Sequence, residues 1–106
     1  MTQVAVIAKL TAVNGKSEDL TRAISDLVTE VRDTEPGTLV YAAAQDTADP
    51  HVFWFYEFYG SAEDATAHSS GNALANAAKS MRGLLAGPPE VHRLMPIADK
   101  DAVDPQ

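Results

Sequence analysis

"HVFWFYEFYG" (residues 51–60) carries six of the chain's seven aromatic side chains: Phe53, Trp54, Phe55, Tyr56, Phe58 and Tyr59. A half-buried strand alternates apolar with polar residues, whereas this run is apolar on both faces. Alternation sends Phe53, Phe55, Glu57 and Tyr59 one way and Val52, Trp54, Tyr56 and Phe58 the other. Helices of a small domain cover one of these faces. Three large aromatics on the second face, at ~150–250 Å² each, expose about 500 Å², the largest patch a typical monomer tolerates. Burying that patch contributes on the order of 10 kcal/mol per protomer before association costs. A second copy of the same sheet is the simplest cover, so Trp54, Tyr56 and Phe58 are the expected interface of an isologous homodimer. A monomer would need a long covering loop, and no segment is long enough to be one.

Outward from this strand the pattern is regular. "VAVIAKLTA" (4–12) reads as a strand that ends at the turn Asn14-Gly15. From Ser17 the period becomes helical, with Leu20, Ile24, Leu27, Val28 and Val31 on one stripe. Ser17 is the expected N-cap, Glu18 and Asp19 suit the positive end of the helix, and Pro36-Gly37 ends it. "TLVYAAAQ" (38–45) is a second strand, "DTADP" (46–50) a hairpin loop, and the aromatic run from Val52 to Tyr59 the third strand. Ser61 with Asp64 makes a capping-box-like start to a short helix reaching about His68. "SSGN" (69–72) interrupts it, and a further helical stretch places Leu74, Ala78, Met81 and Leu85 on one face. "GPP" (87–89) stops that stretch, and "EVHRLMPIA" (90–98) is a last strand. The order βαββαβ, with the second helix broken, predicts an α+β, ferredoxin-like domain with a four-stranded antiparallel sheet. One domain spans 1–98, and 99–106 has the composition of a flexible C-terminal tail.

Composition narrows the function. The chain has 106 residues and no cysteine, which removes disulfides, thiolate catalysis and cysteine-based zinc sites. Eight Lys and Arg against fifteen Asp and Glu give a net charge of −7, which disfavours nucleic acid and anionic lipid. An aromatic third strand on this topology also suits an RNA-recognition motif, but that motif needs a basic lead to the strand and a basic surface. Here the strand is led by Pro50-His51. No apolar stretch is long enough for a membrane span, and "MTQVAVIAKL" lacks the features of a signal peptide, so a cytoplasmic protein is expected. His51, His68 and His92 have no ligand-pair spacing, and no metal site is expected.

"EPGTLVY" (35–41), "FYEFYGSAEDATAH" (55–68) and "LLAGPPEVHRLMPI" (84–97) together resemble the antibiotic biosynthesis monooxygenase family, over residues 4–98. The most recognisable part is Glu57-x-Tyr59 closing the aromatic strand, with His68 nine residues after the Tyr. The resemblance implies a ferredoxin-like protomer in a dimeric α+β barrel, with a pocket between helices and sheet. Some members oxidise quinols or phenolic polyketides with molecular oxygen and no metal, flavin or haem; others degrade haem. Haem-degrading relatives have a His ligand where this chain has Ala78, an Asn at Ala8 and a Trp at His68. The polyketide branch places Asn, Trp and Tyr where this chain has Phe55, Tyr59 and Ala65. The small quinol-oxidising members are the closest fit, and they imply no cofactor, a small aromatic substrate and O2.

Such chemistry needs a base for the phenolic proton, a flat apolar pocket and exclusion of water. His68 is the candidate catalytic base; its other reading is a helix-capping His bonded to a backbone carbonyl. Proton transfer from a phenol to an imidazole costs about 5 kcal/mol on reference values. That sits well inside the ~17 kcal/mol barrier of a reaction turning over about once per second. Phe53, Phe55, Glu57, Tyr59 and Arg82 are the candidate substrate-binding residues. Glu57 must be paired or near solvent, because an isolated buried carboxylate is expensive, and Arg82 is its candidate partner or a contact to a substrate oxygen. The alternative function is a non-catalytic small-molecule-binding barrel, a sensor or sequestering protein, since this fold hosts many activities.

Overall fold

The computed structural model describes residues 2–100. The elements run β1 (Val4–Thr11), α1 (Ser17–Thr34), β2 (Thr38–Gln45), β3 (Val52–Tyr59), α2 (Ala62–Ser69), α3 (Asn72–Ser80) and β4 (Glu90–Leu94). All strand pairs are antiparallel, in the order β2-β3-β1-β4. This is the ferredoxin-like arrangement, in which β1 and β3 are central and both βαβ units are split by an intervening strand. The aromatic strand is thus flanked on both edges, as a two-faced apolar run requires.

One face of the sheet carries the helices. Ala8, Leu10, Phe53 and Phe55 pack there with Leu20, Ala23, Ile24, Leu27 and Val31 of α1 and with Ala73, Ala77 and Met81. The predicted stripe of α1 is buried except at its flank, where Val28 is half-buried. Ser17 does not cap this helix. Lys16 holds the N-cap position without a side-chain bond, and the Ser17 hydroxyl donates to the Pro50 carbonyl at 3.0 Å. That bond ties the helix start to the β2–β3 hairpin. Within the hairpin, Asp46 accepts from the Ala48 and Asp49 backbone N–H groups and from the Trp54 indole N–H, at 2.8, 3.2 and 2.9 Å.

Ser61 caps α2 as predicted, its hydroxyl accepting the Asp64 N–H at 3.1 Å. The break after α2 has a local cause: the Thr66 carbonyl takes the Ser70 N–H and also both the Ser69 and Ser70 hydroxyls. Side chains that compete in this way for a helical carbonyl end the helix. The last helical stretch is shorter than its periodicity suggests. α3 stops at Ser80, Gly83 takes a left-handed φ of 81° that a side chain would resist, and Leu85 forms an isolated bridge with Ala12. Likewise β4 ends at Leu94, before Pro96, which has no N–H for the ladder.

The opposite face of the sheet is open. Trp54 and Tyr56 are 37 % and 42 % exposed, with Val40 and Leu94 exposed beside them. Lys9 Nζ lies 5.6 Å from the centre of the Trp54 ring. Phe58, expected to share this exposure, is already buried to 8 % within the single chain. No helix among the described residues is long and apolar enough to cross a membrane. The expected tail at 99–106 lies, from residue 101 on, outside the described residues.

Candidate active site

A cavity of about 710 Å³ lies between the helix-bearing face of the sheet and the helices, within the usual range for small-molecule sites. Its walls are mostly apolar, with Ala8, Leu10, Leu27, Phe55, Leu74 and Met81 among them. The polar groups reaching it are Tyr41, Glu57, Tyr59, Thr66, His68, Ser69, Arg82 and Arg93.

His68 sits in the last turn of α2 and is 5 % exposed. Its Nδ1 lies 2.8 Å from Glu35 Oε1. A carboxylate only accepts, so Nδ1 carries the proton and Nε2 of the neutral ring is left with a lone pair. Glu35 is held in turn: it stands at the C-cap of α1, and Thr38 donates its hydroxyl to the same oxygen at 2.8 Å. The Tyr41 and Tyr59 rings flank the imidazole, with centroids 4.9 and 5.6 Å from it. Nε2 has no hydrogen-bond partner among the described residues. Among the described residues no sealed side-chain nitrogen or oxygen lacks one, so Nε2 opens onto the cavity that His68 lines.

Glu57 is 7 % exposed at the centre of β3 and accepts the Tyr59 hydroxyl on Oε1 at 2.5 Å. Burial pushes its carboxyl above the ordinary glutamate value, against the opposing pull of the Tyr59 bond and of His68. Burial likewise raises the Tyr59 hydroxyl, with Glu57 adding to the effect, and raises Tyr41. Both phenols therefore stay protonated and serve as donors. The geometry amounts to a lone-pair nitrogen, a carboxylate and two phenolic donors meeting at one wall of an apolar cavity. Among the described residues no three His, Cys, Asp or Glu side chains converge as metal ligands.

Of the residues singled out from sequence, Phe55, Glu57, Tyr59, His68 and Arg82 come together on this cavity. Phe53 does not line it; it is buried in the core and borders a smaller groove of about 490 Å³ between α1 and β2. His68 bonds a side-chain carboxylate rather than a backbone carbonyl, and Glu57 finds its partner in Tyr59 rather than Arg82. Glu35 and Tyr41 were missed as site residues. Glu35 is 33 positions from His68, so local spacing gives no hint of the pair. Tyr41 reaches the inner face beside Glu57 through a register shift between Thr38 and Val40. The small residues that follow it leave β2 without a contrast that would identify its inner face.

The antibiotic biosynthesis monooxygenase family profile matches residues 3–80. Solved structures agree. A Caulobacter crescentus CB15 protein provisionally described as an antibiotic biosynthesis monooxygenase is 25 % identical, with a TM-score of 0.86 over 92 % of each chain. A Pseudomonas aeruginosa protein is 28 % identical with a TM-score of 0.83, over 92 % of this chain and 97 % of that one. A Chloroflexus aurantiacus J-10-fl protein, also provisionally described as a member, is 28 % identical with a TM-score of 0.78, over 92 % and 96 %. No curated protein matches the chain in sequence. The profile spans most of the chain and the fold agrees throughout: the chain belongs to the antibiotic biosynthesis monooxygenase family.

Proposed function

We propose that the protein is a cytoplasmic, homodimeric monooxygenase that oxidises a small quinol or other phenolic ring with molecular oxygen, using no metal, flavin or haem. The observation that carries this reading is the buried His68, with Nδ1 committed to Glu35 and Nε2 open to an aromatic-walled cavity. A base placed in this way takes the phenolic proton, while Glu35 holds the tautomer and stabilises the imidazolium. Tyr41 supplies a hydroxyl that remains a donor as the phenolate forms, while the Tyr59 hydroxyl stays committed to Glu57. The apolar walls keep water from the reacting ring.

The reaction balances without an external reductant. The phenolate passes one electron to O2, and the resulting pair combines at a ring carbon that still bears hydrogen. The proton held on His68 goes to the outer oxygen of the peroxide. Loss of the carbon-bound hydrogen with cleavage of the O–O bond then leaves a quinone and water. The open face bearing Trp54 and Tyr56, with Val40 and Leu94 beside them, supports the homodimer, since a second sheet would cover these exposed apolar side chains.

The test is turnover of naphthols and quinols under ¹⁸O2. The expected product is a quinone with one labelled oxygen and labelled water. Unlabelled quinone accompanied by labelled hydrogen peroxide contradicts oxygen insertion. Ring binding without product above autoxidation replaces the enzyme with the small-molecule-binding barrel.

A further inference from the structure

The sheet register places four side chains in one row on the inner face. Tyr41 of β2 pairs with Glu57 of β3, Glu57 with Val6 of β1, and Val6 with Arg93 of β4. All four line the cavity. Two strand spacings separate Glu57 from Arg93, about 10 Å between Cα atoms. Arg82, in the turn after α3, brings a second guanidinium to the same cavity.

Carboxylates outnumber Lys and Arg by fifteen to eight, and Lys16, Arg22 and Arg32 are each paired with an acid. The guanidinium groups of Arg82 and Arg93 form no hydrogen bond or ion pair with any described residue. They are also the only cationic Lys or Arg among the residues lining the cavity. A guanidinium is always charged and is shaped to grip a carboxylate through two parallel N–H bonds.

The cavity is therefore polarised. Glu57 and the open nitrogen of His68 stand on the β3 and α2 side of the cavity, while Arg93 stands two strands away on β4 and Arg82 enters from the turn after α3. A negative substituent at the Glu57 end would face a like charge in a poorly solvated place. At the arginine end it would be matched. We propose that the substrate is a hydroxylated aromatic acid, bound with its hydroxyl at His68 and its carboxylate on Arg82 and Arg93. This inference rests on the reading of the cavity as a site for phenol oxidation and adds to it the charge and orientation of the substrate. The span between Glu57 and Arg93 suits a one- or two-ring core with the two groups at opposite ends.

The experiment is calorimetric titration of the full chain, without oxygen, using 6-hydroxy-2-naphthoate and its methyl ester. The ester keeps the ring and hydroxyl and removes only the charge. The proposal predicts that the acid binds at least tenfold tighter than the ester. In an Arg82→Gln, Arg93→Gln double variant, with folding checked by circular dichroism, that ratio collapses toward one. Equal binding of acid and ester, an acid preference that survives in the double variant, or no binding of either compound overturns it. The two readings fail separately. Turnover of neutral quinols with no acid preference removes only the carboxylate site. A preference abolished in the double variant, with no oxidation of any ring, keeps the site and removes the enzyme.

Discussion

At the scale of single residues, the site depends on two acid–partner pairs, the part-buried Glu35 with His68 and the buried Glu57 with Tyr59. Glu57 has its carboxyl raised by burial. Its contribution to stability is therefore full below the ordinary glutamate pKa of about 4.3 and is lost as pH rises through the folded value. A glutamine there does not titrate and still accepts the Tyr59 hydroxyl. The stability of Glu57→Gln relative to the parent should accordingly grow between about pH 4 and pH 7, read as the difference between thermal midpoints along the series. A difference that shrinks with pH would contradict the burial argument. His68, Glu57 and Tyr59 were legible in the sequence because they share one short segment, within which strand and helix periods give their placement. Glu35 was not, because its pairing is created by how α1 and α2 pack, and no local pattern encodes it.

At the scale of elements, the seat of His68 is fixed by the start of α2. Asp64 gives its N–H to Ser61 and receives the Ser61 hydroxyl at 3.0 Å. It also lies hard against Gly37, where an added Cβ would fall inside the Asp64 carboxylate. Gly37→Ala should therefore displace Asp64, loosen the cap and destabilise the protein by about 1–3 kcal/mol, as measured by urea titration. A change near zero would show that the carboxylate can move freely. The elements themselves were legible almost completely. β1 to β3 and the broken second helix fall where period and turn chemistry put them. The errors lie at ends: Ser17 is drawn to the Pro50 carbonyl instead of capping α1, and Leu85 leaves the helical face to bridge Ala12. Both are decided by a partner distant in sequence, which helix periodicity does not contain.

At the scale of the whole molecule, the aromatic strand faces two ways. Phe53 and Phe55 face the helices, while Trp54 and Tyr56 stand on the open face. Phe58 shares the outward parity and is nonetheless buried within the single chain. The outer patch is thus carried by Trp54 and Tyr56, with Val40 and Leu94 beside them. In an isologous dimer each substitution counts twice. Tyr56→Asp should convert a dimer of the parent chain to a monomer in sedimentation velocity, and a parent chain that sediments as a monomer would contradict the homodimer. The central claim is that His68 acts as a base on a phenolic ring inside the 710 Å³ cavity. It is tested most directly by oxygen uptake of the purified, metal-stripped protein with a series of benzoquinols and naphthoquinols, beside His68→Ala. The account predicts saturable uptake above autoxidation that falls by about 10²-fold or more in the variant. Uptake of the same rate in both proteins, or none above autoxidation in the parent, would contradict it.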